Sequence, residues 1–246
     1  MSTAIPASAR TLTDKLAAVL AAPLGRPADA AELLAQVARL PALAEESPEQ
    51  AARTALGHLA TAGLLHHAVA RPGQVGVSVP TLCLLRAALA YVSPLYDLMF
   101  AMQGLGSYGA LASGSAPEGF AAAVSAGEAV CGIGLTEPGA GSDVSLIATR
   151  AERNSDGSYR LDGEKIFISN AGIATHLVLY ARTDVHPKKG LSAFLLPMST
   201  PGVSVEPVQF LCDDHVIGRV RLIGVRLPSE ARLGVEGQGM SLAMQT

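Results

Sequence analysis

The hydrophobic period of this chain changes once, near residue 127, and that change limits the folds open to it. Before it, apolar residues recur at helical spacing, as in Leu33, Val37 and Leu40, and in Leu56 and Leu59. Ser47-Pro48-Glu49-Gln50 has the form of a helix start, with a capping hydroxyl and a proline in the first turn, and Gly63 marks the stop. Further helices are expected at 80–92 and 94–112, and a shorter one at 116–126. After it, Tyr159 and Leu161, then Ile166 and Ile168, alternate with other residues as strand residues do. Ala129–Leu135, Leu177–Tyr180, Leu191–Leu196 and Val220–Leu227 read as further strands, and Asn154–Gly157 as a turn that makes 145–169 a hairpin. Helices first and strands after predict an α+β fold. We expect an all-α N-terminal helical domain over 1–127, then a small antiparallel β-barrel-like domain over 128–238. Residues 239–246 open a further helix.

Composition removes several functions. Among 246 residues, 18 Lys+Arg against 21 Asp+Glu leave a net charge of −3, which argues against nucleic acid or an anionic membrane as partner. Trp is absent and aromatics total 4%, too few for a base-stacking platform. Cys83, Cys131 and Cys212 are far apart and odd in number, so neither disulfides nor a zinc site is expected. The pair His66-His67 reads as a helix end. Leu12, Leu16, Val19 and Leu20 read as an amphipathic helix, since Asp14 and Lys15 interrupt any signal-peptide core. The longest apolar stretch, 81–102, is broken by Arg86, Pro94 and Asp97, so no membrane span is expected and the chain reads as cytoplasmic.

Three segments carry candidate chemistry. Gly104-Leu105-Gly106-Ser107-Tyr108-Gly109 has dinucleotide-loop spacing but follows a helical stretch, so close helix packing is the better reading. Thr136-Glu137-Pro138-Gly139-Ala140-Gly141-Ser142-Asp143 follows a strand. Its glycines permit unusual backbone angles, so successive N–H groups can form an anion nest flanked by two hydroxyls. An ordinary surface turn is the competing reading. In Lys165–Asn170, period two places Phe167 and Ser169 on one face and Ile166 and Ile168 on the other, a ring and a hydroxyl together. Glu137 has the chemistry of a general base, but no second polar residue is evident for it, so a role in loop structure is expected. Asp213-Asp214-His215 reads as a polar loop.

These residues resemble the acyl-CoA dehydrogenase family. The matching pieces are Gly134–Asp143, Leu161–Gly172, Gly190–Phe194, Val225–Pro228 and Leu233–Gly239, in the family's order and spacing. The family's Glu-x-Gly-Gly stretch has no clear counterpart at Arg71–Gly76. The resemblance implies a flavoprotein oxidoreductase of fatty acid metabolism that uses FAD. It implies flavin contacts at Ile133, Leu135, Thr136, Gly141, Ser142, Phe167, Ile168 and Ser169. Thr136 would meet the pyrimidine edge and Ser142 the pyrophosphate, Phe167 would pack on the isoalloxazine, and Ser169 would lie near N5. Ser142, Leu98, Ala101 and Met102 would face the substrate, the last three as an open apolar floor. Gly218 stands where relatives often carry a polar or basic residue.

The implied reaction is α,β-dehydrogenation of an acyl-CoA or acyl-carrier thioester, with electrons passed to an electron-transferring flavoprotein. In the family the catalytic glutamate comes from a C-terminal helical domain, so no catalytic residue is assigned within 1–246. The expectation is a truncated dehydrogenase chain that works as a homo-oligomer or with a completing subunit. The alternative is a non-catalytic or partner-completed binding module.

Overall fold

The computed structural model describes Asp14 and residues 30–69, 77–186, 190–208 and 216–245. Leu12, Leu16, Val19 and Leu20 of the expected first helix, the stretch Arg71–Gly76, Cys212 and Asp213–His215 lie outside the described residues.

Among the described residues, five α-helices with defined bounds precede the strands. Helix α1 (Ala30–Val37) buries Leu33, Leu34 and Val37. Helix α2 (Pro48–Thr61) starts as its sequence requires, because the Ser47 hydroxyl accepts the Gln50 N–H at 3.3 Å. It ends before Gly63, whose φ of 71° suits glycine. Helices α3 (Val79–Val92) and α4 (Pro94–Ala112) are separated by the extended Ser93, which caps α4. Helix α5 (Phe120–Ser125) is shorter than the expected 116–126, since Pro117 and a left-handed Gly119 occupy its first residues. Leu56, Leu59, Leu64, Leu65, Leu85, Leu89, Tyr96 and Phe100 fill the helical core. His66 and His67 close a short 3-10 turn, as a helix end would.

Among the described residues eight strands follow: β1 (Cys131–Gly134), β2 (Arg150–Arg153), β3 (Tyr159–Ser169), β4 (His176–Arg182), β5 (Leu191–Pro197), β6 (Val203–Pro207), β7 (Ile217–Leu227) and β8 (Arg232–Leu233). The order is β6-β7-β3-β2-β4-β5-β8, with β1 on β4. The sheet is open, which corrects the barrel expectation. Strand β1 runs parallel to β4 along His176–Leu179, and β2 meets β4 only at Arg182. One edge of β4 is therefore shared between β1 and β2. The terminal strand β8 is two residues long, and among the described residues β6 is paired to β7 alone. The remaining pairings are antiparallel, as expected. A short helix α6 (Gly239–Ala243) follows. No helix among the described residues is long and apolar enough to cross a membrane.

The glycine-spaced segment explains how helices meet sheet. It lies inside α4, and a Cβ on Gly106 would stand 2.8 Å from the Cys131 carbonyl carbon. One on Gly104 would stand 2.6 Å from the Ala68 carbonyl oxygen, and one on Gly109 would stand 3.0 Å from Val178. These glycines serve close packing, as read from the sequence. Between them and the sheet lies Gln103, fully buried. Its amide donates to the carbonyls of Val124 (3.0 Å) and Ala129 (2.6 Å) and accepts the Cys131 N–H at 3.0 Å. The buried amide that seats α4 on the start of β1 is thus satisfied at both its nitrogen and its oxygen.

Two glycines on helices should respond with opposite signs. Gly57, inside α2, has nothing within 4 Å of the point a Cβ would occupy. Gly57→Ala should therefore stabilise by about 0.5–1 kcal/mol, a rise of roughly 1–4 °C in Tm. Gly106→Ala should lower Tm, because the new methyl meets backbone. Thermal unfolding of the two variants beside the parent checks both signs.

Candidate functional site

Strand β1 ends at Gly134 and releases the chain into a loop that returns at Arg150. The base of that loop is cross-linked by hydrogen bonds. Glu137, 6% exposed, accepts the Ala148 N–H at 2.7 Å and the Thr149 N–H at 3.0 Å. Lys165 of β3, with no exposed surface, donates to the same carboxylate at 2.7 Å and to the Leu135 carbonyl at 3.2 Å. Next to it, the Ile166 N–H donates to the Thr136 carbonyl at 2.9 Å. On the far shoulder, Arg182 of β4 donates to the carbonyls of Ile147 (2.9 Å) and Ser145 (2.8 Å). Gly163 of β3 lets Thr149 lie close, since a Cβ there would stand 2.5 Å from the Thr149 hydroxyl oxygen.

The electrostatics follow from this burial. Desolvation works to raise the Glu137 pKa, but Lys165 and the bonds from Thr149 and Ala148 outweigh it and hold the carboxyl below its ordinary range. Burial drives the Lys165 ammonium downward against the pull of Glu137. Glu137 is therefore part of the loop's construction, as the sequence reading expected. Its partner went unnoticed there, although a signal existed. Tyr159, Leu161 and Lys165 share strand parity, so Lys165 falls on the buried face and needs an acid.

The tip of the loop is open. Glu137 and Ala140 exchange backbone bonds at 2.9 and 3.1 Å, closing a turn. Gly139, Gly141, Ser142 and Asp143 are exposed. Neither Gly139 nor Gly141 is left-handed, which corrects the expectation of special backbone angles. Their value is bareness: a Cβ on either would stand in open space. Among the described residues Gly139, Gly141 and Ser142 donate no backbone–backbone bond.

Phe167 lies beside this loop through a β-bulge. Lys165 pairs with Val220 and Ile168 with Gly218, so two residues, Ile166 and Phe167, stand opposite one, Arg219. The simple alternation expected for Ile166–Ser169 therefore fails, because the Ile166 N–H is given to Thr136 and the ladder skips. Lys165 and Ile168 both point inward, and Phe167 is thrown outward, 55% exposed, with φ of 55°. A left-handed, exposed aromatic is a costly placement for a residue with no other use.

The other predicted residues divide clearly. Ile133, Leu135 and Thr136 are half-buried along β1 and its exit, and Ser169 is half-buried at the end of β3. Ile168 is 2% exposed within the sheet core, so only its backbone can face a ligand. Leu98 and Ala101 are half-buried and Met102 is buried on α4, linked to β1 through Gln103 and Gly106. Gly218 lies tight against Ala171, and Arg219 beside it pairs with Glu164 at 3.2 Å. Sequence reasoning missed Gln103, Lys165 and Arg182.

Known proteins resemble this chain in sequence and fold. Residues 132–213 match the family model of the acyl-CoA dehydrogenase middle domain. Over 116 residues the chain is 40% identical to the short-chain specific acyl-CoA dehydrogenase of Megasphaera elsdenii, covering 46% of this chain and 30% of that protein. Over 119 residues it is 42% identical to L-prolyl-(peptidyl-carrier protein) dehydrogenase of Pseudomonas fluorescens, covering 47% and 31%. The glutaryl-CoA dehydrogenase structure from Mycobacterium smegmatis superposes with a TM-score of 0.69 at 26% identity, over 97% of this chain and 58% of that one. The chain thus spans about a third of the two matched sequences and less than two thirds of the matched structure.

Acid should unlock the loop. Glu137 titrates lower in the folded chain than its ordinary 4.5, so the unfolded chain binds more protons in that window. Its stabilisation is complete above pH 4.5 and is lost as pH falls through the folded-state value. Urea midpoints from pH 7 to pH 3 should show Glu137→Gln well below the parent at pH 7, with the gap narrowing below pH 4.5. A pH-independent gap would contradict this assignment.

Proposed function

We propose that the chain belongs, through its middle domain, to the acyl-CoA dehydrogenase family, and on that premise that residues 128–238 form an FAD platform and residues 1–127 the acyl side of the site. The observation that carries the reading is the loop with a clamped base and a bare tip, set beside an exposed, left-handed Phe167. The donor set fits a flavin. The amides of Gly141 and Ser142 and the hydroxyls of Thr136 and Ser142 suit a pyrimidine edge and a pyrophosphate. The Phe167 ring offers a flat apolar face for a tricyclic ring, and Ser169 offers a hydroxyl near it.

Bound FAD supplies the hydride acceptor for α,β-dehydrogenation of an acyl thioester. This chain's residues contribute orientation and exclusion of water. Leu98, Ala101 and Met102 present an apolar floor, with Ala101 leaving room for an acyl chain. Ser142, at the exposed tip, serves both the cofactor and the thioester side. Glu137 is not the base, because its carboxylate is buried and committed to Lys165, Ala148 and Thr149. The substrate is a CoA or carrier-protein thioester, and an electron-transferring flavoprotein takes the electrons. The 42% identity to the prolyl-carrier enzyme keeps the carrier form level with the CoA form.

Titration of the purified chain with FAD, read by visible absorbance, tests the reading. Near-stoichiometric binding is expected. Phe167→Gly should weaken it at least tenfold while the urea midpoint stays level or rises, since glycine removes a left-handed penalty of about 1 kcal/mol. A parent chain that stays colourless with added FAD would overturn the assignment of the platform.

A further inference from the structure

On the flavin-platform reading above, we infer that Lys165 is a positioning residue that makes the glycine loop and the Phe167 bulge one mechanical unit. Three bonds join loop to strand within two consecutive residues: Lys165 Nζ to Leu135 O (3.2 Å), Lys165 Nζ to Glu137 Oε1 (2.7 Å), and Ile166 N to Thr136 O (2.9 Å). Glu137 extends the connection to Ala148 and Thr149, at the far end of the loop.

The same bonds create the bulge. The Ile166 N–H turns to Thr136, away from β7, and the β3–β7 ladder loses its register between Lys165 and Ile168. Phe167 takes its left-handed conformation at that skip. A loop that moved would remove the reason for the bulge, and a bulge that relaxed would release Thr136. Lys165 has no exposed surface, so water cannot take over its bonds. It meets no ligand itself. It acts through Leu135, Thr136 and Phe167, fixing the ligand's edge contacts and its ring contact relative to one another before binding.

Hydrogen–deuterium exchange read by mass spectrometry separates positioning from plain stability. Lys165→Met leaves a buried carboxylate unpaired, so Lys165→Met/Glu137→Gln, which removes both charges, is measured beside it. The expected result is exchange at least tenfold faster in peptides carrying the Glu137, Ala148 and Thr149 amides and, together with them, the Ile166 amide. Peptides of α4 and β5 should keep parental rates. Loosening of the loop without Ile166, or uniform loosening everywhere at matched stability, would overturn the proposal. FAD affinity measured on the same samples should fall at least tenfold in the double variant, and parental affinity there would equally overturn it. If the parent chain binds no FAD, the flavin reading fails while the exchange result still decides whether loop and bulge are coupled.

Discussion

A buried ion pair holds the candidate site together. Removing a carboxylate and an ammonium from water costs several kcal/mol per ion, offset only when geometry and extra hydrogen bonds are good. Here both conditions hold. Glu137 accepts from Lys165, Ala148 and Thr149, and Lys165 also donates to Leu135. The carboxylate thereby closes a loop that starts and ends on different strands. The ammonium fastens that loop to a third. A well-packed apolar pair would serve stability as well or better, but it would bond neither the Leu135 carbonyl nor the two amides. The charges set a backbone geometry.

The second constraint is the seam between helices and sheet. Helix α4 approaches β1 closely because Gly106 carries no side chain, and Gln103 binds the backbone on either side of the junction. The residues proposed to face the acyl chain are thereby built into the same body as the strand that delivers the loop. Rigid support beneath an open tip is what a binding site needs, since groups already ordered by folding lose little further freedom on binding.

Much of this was legible in the residues. Period and capping placed α2, α3 and α4 closely, because local rules decide them: Ser47, Ser93, Pro48 and Pro94 act within one turn. The glycine-spaced segment was rightly read as packing, since a helix precedes it. The open sheet was not legible, because closure depends on which strand shares the edge of β4, a long-range choice. The bulge at Phe167 escaped for a similar reason. Alternation assumes that every N–H stays in its ladder, and Ile166 gives its N–H to Thr136, far back in the chain. The special angle expected at Gly139 or Gly141 occurs at Phe167 instead. Lys165 was readable from strand parity, but its pairing with Glu137 needed the fold.

The measurement that addresses the central claim is a double-mutant cycle between Glu137 and Lys165, using Glu137→Gln, Lys165→Met and both together, by urea unfolding at pH 7. Each single change should cost about 3–5 kcal/mol, because it strands a buried charge. The double change should cost much less than their sum, giving a coupling energy of roughly 2 kcal/mol or more. Additive costs, with coupling near zero, would mean that the two side chains do not depend on each other and that the loop is held by something else.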